Sequence, residues 1–345
     1  MDQSTESTPP SAPPLLKKML ARIGKRRMIL YSALGVVLIL ASIAAYYIYS
    51  LYSFADKIYV KPEDSQPTAV IPTDGSSPLP VAVIEPPEWV GDERINILLL
   101  GGDSRGVKAT SKPRSDTMMV VSIDPVDKSS HMFSLLRDTY LEIPQRGSNR
   151  LNAAITMGGP LLAMETVNTL LDLPIHYYVY TDFEGFISLI DELGGIDFEV
   201  DKAMNRTDNR DDPRYNIKLE KGLQHLDGLT ALQYVRYRSD ALSDFARSDR
   251  QRKFLSAIAN KLQSTTSLLK LPQLLNGVAP YIETNIPPSD LIKLARLGMK
   301  LDTSKLTGIQ IPQSGAFTEE RINGMDVLVP DIGKIKSYVQ EQLGS

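Results

Sequence analysis

The chain has no cysteine in its 345 residues, only three histidines and a single tryptophan. Without cysteine there is no disulfide framework, no thiol nucleophile and no thiolate-bound zinc or iron–sulfur centre. Three histidines leave little material for an imidazole-rich metal site. An excess of one charge is also missing: 38 Lys+Arg stand against 41 Asp+Glu, a formal net charge of −3. That balance argues against a globally basic nucleic-acid binder, so no nucleic-acid partner is expected. Internal repeats and coiled-coil heptads are absent as well. The lack of cysteine leaves the redox compartment open.

The charges that are present are unevenly placed. Residues 1–27 carry six Lys+Arg and two Asp+Glu, residues 28–52 carry none, and the remainder holds 32 basic and 39 acidic residues. Met1 to Pro14 is rich in Ser, Thr and Pro and poor in large apolar residues, a composition that favours disorder. Lys17, Lys18, Arg22, Lys25, Arg26 and Arg27 follow. The uncharged run from Met28 to Tyr52 ends in Tyr46, Tyr47, Tyr49 and Tyr52. About 20 apolar residues span a hydrocarbon core of ~30 Å, so the run predicts a single transmembrane helix over 28–52. Its basic flank would stay cytoplasmic, with the tyrosines in the interfacial belt. The competing reading is a cleavable signal peptide. Its apolar region would be about 7–15 residues long, and here the cleavage-like patch Ala41-Ser42-Ile43-Ala44-Ala45 lies inside the run. Residues 53–92 contain seven prolines. They predict an extended, semi-rigid extracytoplasmic linker that holds the next domain away from the bilayer.

The remaining sequence alternates apolar strand-length runs with helical patterns. Strands are expected at Arg94–Gly101, Asp116–Ile123, His131–Leu136, Ile175–Thr181, Ile196–Val200 and Leu306–Ile311. Helices are expected over Pro160–Leu171, Asp182–Leu193, Asp227–Val235, Arg247–Ser264, Ser267–Asn276 and Pro288–Leu297. Pro160 suits a first helical position. Asp182 is a cap candidate, and Gly194-Gly195 is a C-terminal stop signal. Continuous apolar strands between helices imply an α/β fold with a mixed central sheet covered on both faces.

Asp103 lies in Gly101-Gly102-Asp103-Ser104-Arg105-Gly106, at the carboxyl end of the first strand, where ligands bind in open α/β sheets. Gly102, Ser104 and Gly106 mimic a nucleophile elbow, but the loop signals Ser111 and Pro113 follow instead of a helix. A phosphate loop would need Lys where Val107 stands. If the first two strands are antiparallel neighbours, their connection brings Asp103 and Asp116 together, and one or two carboxylates suit Mg²⁺. The alternative is a pair of solvated loop acids.

Arginine gives the stronger signal. Arg105 and Arg114 flank that loop, and Arg137-Asp138 ends the third strand. In an extended segment Arg236 and Arg238 would point to one face. Arg247 and Arg250, three apart at a helix start, would share one. Guanidinium matches phosphate oxygens bidentately, so the set outlines a polyphosphate site, although any one arginine alone reads as a surface ion pair. Asn205 to Asn216 lacks calcium-loop spacing. His131, His176 and His225 sit on or beside apolar segments and read as packing residues.

In order, the chain presents Asn96-Ile97-Leu98-Leu99-Leu100-Gly101 with Asp103-Ser104-Arg105, then Arg114-Ser115-Asp116-Thr117-Met118, then Arg137-Asp138-Thr139. Leu151-Asn152-Ala153-Ala154 with Gly158-Gly159, Leu193-Gly194-Gly195-Ile196 and Leu223 to Gly228 follow. Val235-Arg236-Tyr237-Arg238 and Asp244-x-x-Arg247-x-x-Arg250-Gln251 complete the set. This order resembles the LytR-CpsA-Psr family of cell-envelope phosphotransferases over roughly Arg94 to Leu262. Ile196 stands where valine is more usual and Ala246 where glycine is common; neither position is charged.

The resemblance implies an α/β/α sandwich with a largely apolar tunnel for a polyprenyl chain. It implies transfer of a phosphoglycan from an undecaprenyl-pyrophosphate carrier to peptidoglycan, with release of polyprenyl phosphate. Asp103 and Asp116 would hold Mg²⁺, with Mn²⁺ as the alternative. Arg105, Arg114, Arg137, Arg236, Arg238, Arg247 and Gln251 would bind the pyrophosphate. Arg137, Asp244 and Arg247 would serve the chemistry, Asp244 by orienting a basic residue or the acceptor hydroxyl. The helices Pro160–Leu171 and Asp182–Leu193 are candidates for the tunnel wall. Residues 93–264 would form the catalytic domain and 265–345 an extension completing it. The partners would be the lipid-linked glycan, peptidoglycan and the bilayer. Two other readings stay open on the same residues: a non-catalytic membrane-anchored polyprenyl-phosphate-binding regulator, and a lipid pyrophosphate hydrolase.

Overall fold

The apolar runs that read as strands do form strands, and most of them join one sheet. The computed structural model describes residues 14–67, 83–102, 115–207, 213–238 and 243–344. The chain divides into two compact units, Met1–Ser50 and Leu51–Ser345.

Helix α1 (Pro14–Ile58) occupies the described part of the first unit and continues into the second. It runs past the expected span of 28–52 at both ends. Its segment Arg27–Ile58 is, among the described residues, the one helix long and apolar enough to cross a membrane. Large side chains such as Leu30, Val37, Ile39 and Tyr49 are exposed. A continuous apolar surface of this kind is unsatisfied in water and matched by lipid.

In the second unit the chain forms β1 (Ile95–Gly102), β2 (Ser115–Ile123), β3 (Ser130–Leu135), the hairpin β4 (Tyr140–Ile143) and β5 (Gly147–Arg150), and α2 (Ala154–Leu171). Next come β6 (Tyr177–Asp182), α3 (Phe183–Glu192), β7 (Ile196–Val200), β8 (Met204–Arg206), β9 (Ile217–Leu219), β10 (Gly222–Leu226) and α4 (Gly228–Arg236). Then α5 (Ser243–Leu262), α6 (Thr265–Leu269), α7 (Leu271–Val278), β11 (Ile282–Thr284) and α8 (Pro288–Gly298) follow. The chain closes with β12 (Thr307–Ile311), the hairpin β13 (Phe317–Ile322) and β14 (Met325–Pro330), and α9 (Ile332–Leu343).

The central sheet has the order β11-β6-β1-β2-β3-β12. It is mixed: β1 runs parallel to β6 and β3 parallel to β12, and the other pairs are antiparallel. Side chains alternate across each strand. Leu98, Leu100, Val120 and Phe133 pack with α2 and α9 on one face. Ile95, Ile97, Val121 and Val179 belong to the other, where Leu291, Leu294 and Leu297 of α8 pack against them. With apolar side chains on both faces the strands need helices on both, which gives the α/β/α sandwich.

Several expectations change in detail. Ile196–Val200 is a strand, but it pairs with β10 in a separate ribbon. The helix expected over 267–276 is two, because Lys270 leaves helical geometry (φ −93°, ψ 3°) and Pro272 opens α7. The helix at Pro160 is preceded by one short turn, with non-helical backbone at Gly158 and Gly159. Gly159 has φ +74°, a region that glycine enters without steric cost. The first residues of the expected linker are helical: Phe54 and Ile58 pack into the second unit's core. Val60 N donates to Thr284 O at 2.8 Å, so the chain beyond α1 joins the sheet edge. Linker residues 68–82 lie outside the described residues.

Candidate active site

β1 and β2 are antiparallel neighbours, with Gly101 opposite Thr117 and Gly102 opposite Ser115. The condition set by the sequence is met: the end of β1 and the start of β2 lie side by side at one end of the sheet. A Cβ at Gly102 would collide with the Tyr180 hydroxyl, and one at Gly101 would sit 3.0 Å from Thr117 Cβ. The glycines let these groups approach. Asp103, Arg105 and Arg114 fall in 103–114 and lie outside the described residues, as does Ser104.

Asp116, at the start of β2, begins a network of charges. Arg137 Nη1 reaches Asp116 Oδ1 at 2.6 Å, and its Nε lies 3.3 Å from Asp244 Oδ2 and 3.4 Å from Asp138 Oδ2. Arg238 Nη2 is 3.5 Å from the same Asp116 oxygen, and Arg247 Nη2 is 3.2 Å from Asp244 Oδ2. Arg150 Nη1 holds Asp138 Oδ1 at 3.0 Å. Among the described residues four arginines thus meet three aspartates, a surplus of one positive charge. Burial works against the Arg137 charge, but the three aspartates outweigh it, so its pKa is raised. For Arg238, burial and then repulsion from Arg137 prevail over the same aspartates, and its pKa is lowered. Arg238 is an under-neutralised cation that an anion would stabilise. Arg247 is 4% exposed, and its Nε is buried without a hydrogen-bond partner among the described residues. A buried donor left unpaired costs about 1–3 kcal/mol, a cost that a bound oxyanion would remove.

This cluster stands at one end of a cavity of about 650 Å³. Asp116, Arg238, Arg247 and Gln251 line the charged end, while Leu99, Met119, Val179, Phe186, Leu189, Leu232, Phe254, Leu255, Ile258 and Ile282 form apolar walls. Arg137 and Asp244 connect to this lining through their ion pairs with Asp116, Arg238 and Arg247. Gln251 Nε2 donates to Thr117 Oγ1 at 3.0 Å, bracing α5 against β2.

Three features of the site differ from those expected of the sequence. Arg236 and Arg238 do not lie in an extended segment: Arg236 ends α4 and Tyr237 is its C-cap. Both line the cavity, but Arg236 stacks over Phe183 and Tyr215, 4.6 and 5.0 Å from their ring centroids, while Arg238 joins the aspartates. Arg250 does not share the Arg247 site; its Nη2 donates to Tyr237 O and its guanidinium lies over the Tyr237 ring. Of the two candidate tunnel helices only α3 lines the cavity, through Phe183, Gly185, Phe186 and Leu189; α2 packs on the opposite face. The Asp182 cap of α3 forms as expected, Oδ1 accepting from Gly185 N at 2.9 Å.

Asp138 and Arg150 join the cluster although only the Arg137-Asp138 dipeptide hinted at it. Tyr215 and Phe183 carried no readable signal. His176 is buried and accepts from Asn96 N at 3.1 Å. His131 stacks on Phe133, and His225 meets Asp197 at the surface.

The carboxylate chemistry suits a hard cation: Asp116 spends one oxygen, Oδ1, on both arginine contacts. Among the described residues there is no group of three or more His, Cys, Asp or Glu that could hold a metal alone. One carboxylate plus phosphate oxygens and water is an ordinary Mg²⁺ environment.

Residues 45–343 match the family model described as the LytR_cpsA_psr family. The polyisoprenyl-teichoic acid–peptidoglycan teichoic acid transferase TagV of Bacillus subtilis (strain 168) is 29% identical over 93% of this chain and 79% of its own length. The regulatory protein MsrR of Staphylococcus aureus (strain Mu50 / ATCC 700699) is 33% identical, covering 59% of each chain. Among solved structures, the LytR-CPS2A-psr family protein YwtF (TagT) with bound octaprenyl pyrophosphate lipid superposes with a TM-score of 0.56. It is 26% identical, and the match covers 76% of this chain and 96% of that one.

Proposed function

The chain belongs to the LytR-CpsA-Psr family, and on that premise we propose that it is a phosphotransferase moving a phosphoglycan from a polyprenyl-pyrophosphate carrier, of the undecaprenyl class, onto peptidoglycan. The observation that carries this reading is a single cavity with an arginine-rich end and apolar walls. A pyrophosphate belongs at the first and a prenyl chain at the second. Transfer to an acceptor hydroxyl forms one O–P bond and breaks the bond from phosphorus to the bridging oxygen. The electron pair leaves on polyprenyl phosphate, and the hydroxyl proton passes to water. Such transition states are loose, so positioning and charge neutralisation do most of the work.

Arg238 and Arg247 would bind the oxygens directly, with Arg236 at the wall and Arg105 and Arg114 from the β1–β2 connection. Arg137 bridges Asp116 and Asp244. It would turn toward the phosphates as they displace its carboxylate partners. Asp244, contacted by Arg137, Arg238 and Arg247, would hold these guanidiniums at fixed spacing. Gln251 would keep α5 in register with β2. Asp116 with Asp103 would hold Mg²⁺, or Mn²⁺, which when bound supplies further neutralisation of the pyrophosphate. α1 would anchor the protein as a single-pass membrane helix, with its basic N-terminal residues cytoplasmic and residues 59–345 outside.

The name of the MsrR relative favours a second reading, a lipid-binding regulator without transfer. One experiment separates them. Full-length protein in detergent, given a polyprenyl-pyrophosphate-linked glycan, Mg²⁺ and peptidoglycan, should release polyprenyl phosphate and label the peptidoglycan. Arg137→Ala should reduce labelling at least a hundredfold. Lipid binding without release would support the regulator, and release without labelling a hydrolase.

A further inference from the structure

A second groove opens on the sheet face opposite the cavity. It measures about 370 Å³ and lies between residues 313–316 and α9, with Gln313, Ser314, Lys334, Ser337, Tyr338 and Glu341 among its walls. Its lining is mixed, polar side chains alternating with Gly315, Ala316 and Gly333 around the half-buried ring of Tyr338. The chain that forms it is tied to the Arg137 segment on both sides. Leu136 N donates to Ile311 O at 2.8 Å, and Leu328 N donates to Asp138 O at 3.0 Å. Thr139 and Leu328 add a β-bridge. Two residues of chain reach at most roughly 7 Å, so Gln313 stays close to Ile311 and thus to the strand end that carries Arg137. Over the same end of the sheet, Phe245 in the first turn of α5 meets Phe317 at the start of β13. Their centroids are 6.0 Å apart at 34°, and both rings are half-buried.

We infer that this groove, with the Phe245–Phe317 pair at its approach, binds the acceptor: an amino-sugar glycan strand presenting a free hydroxyl. The inference rests on the transferase reading and adds a direction to it. In phosphoryl transfer the attacking and leaving oxygens lie roughly in line on opposite sides of phosphorus. The leaving group is polyprenyl phosphate, whose chain occupies the cavity on the α3–α5 face. An acceptor hydroxyl coming from the α9 face, past the strand ends, would meet that requirement. The groove is on that face and is braced to the residue pair Arg137-Asp138. Flat aromatic faces suit the apolar C–H face of a pyranose ring. Gln313 spends its Nε2 on Lys334 O and Lys334 its ammonium on Asp331 and Gly315 O. Gln313 Oε1, however, is buried without a partner among the described residues, and with Ser337 and Glu341 it gives the donors and acceptors that hydroxyl and acetamido groups need.

The test uses full-length protein in detergent with a soluble oligosaccharide of alternating N-acetylglucosamine and N-acetylmuramic acid. Ser337→Trp fills the groove from an exposed helical position, and Phe317→Ala removes one ring of the pair. In transfer assays both should raise the half-saturating acceptor concentration at least tenfold, while affinity for polyprenyl pyrophosphate stays within twofold. An unchanged acceptor dependence in Ser337→Trp overturns the inference. If the parent transfers nothing, the transferase reading fails on its own, and calorimetric titration of the oligosaccharide still decides the groove. Binding by the parent that is lost in Ser337→Trp supports it. No binding by the parent, or equal binding by both, overturns it.

Discussion

Arg247 and Arg250 show how three residues of separation can divide two roles. Helical spacing placed both on one face, and composition made them equivalent. In the structure Arg247 faces the cavity beside Asp244, and Arg250 supports the chain between α4 and α5 through Tyr237. Arg247→Ala should leave the melting temperature nearly unchanged and weaken polyprenyl-pyrophosphate binding by 10- to 100-fold, because a hydrogen bond to a charged group contributes about 1.5–3 kcal/mol. Arg250→Ala should lower the melting temperature by several degrees. A lipid titration and a thermal melt on each variant check this, and the reverse assignment would show the two roles exchanged. His176 gives a pH dependence. Burial holds its pKa below the ordinary 6.5, so the folded protein keeps it neutral while the unfolded chain takes up a proton. Stability from this residue is present above about pH 6.5 and is lost as pH falls toward the lowered value. One proton corresponds to at most about 1.4 kcal/mol per pH unit. Denaturant melts between pH 7 and 5 should show the fall, and His176→Gln should flatten it.

Among the elements, α3 was the most legible from sequence, with a cap at Asp182 and a stop at Gly194-Gly195. Gly195 has φ +74°, and a Cβ there would meet the His225 ring, so the stop signal and the close approach fall on one residue. The sequence could not choose between α2 and α3 as tunnel wall, since both are apolar and of similar length. Tertiary packing chose: α3 lies on the face with α4 and α5, and α2 on the face with α9. Leu189→Trp, at the cavity wall on α3, should shorten the usable space. Affinity for a long-chain polyprenyl pyrophosphate should fall at least tenfold, while affinity for farnesyl pyrophosphate changes little. Equal losses for both ligands would place the prenyl chain elsewhere. The strands β4, β5, β8, β9, β10, β11, β13 and β14 escaped sequence reading: five of them are three or four residues long, too short to show a period, and β13 is mostly exposed Thr, Glu and Arg.

For the whole molecule, the C-terminal region is not an accessory. β11 and β12 are the two edges of the central sheet, and both come from beyond residue 264. Truncation after Ser264 would leave β6 and β3 as open apolar edges, which pair readily with other chains. The truncated protein should aggregate, whereas the intact chain in detergent stays monodisperse; size-exclusion chromatography checks this. The charged site is also assembled across distance. Asp116 on β2, Arg137 after β3, Arg238 after α4 and Asp244 on α5 meet only when sheet and helices close.

The sequence by itself determined the apolar N-terminal helix, the α/β class, the strand and helix positions of the central motifs, and the identity of the charged residues. These depend on local composition, periodicity and capping, which act within a few residues. Only the tertiary structure decided which arginines share aspartates, which apolar helix faces the cavity, and that both sheet edges arrive from the far end of the chain. Those outcomes depend on how strands pair and cross over between residues more than a hundred positions apart. No local pattern records that.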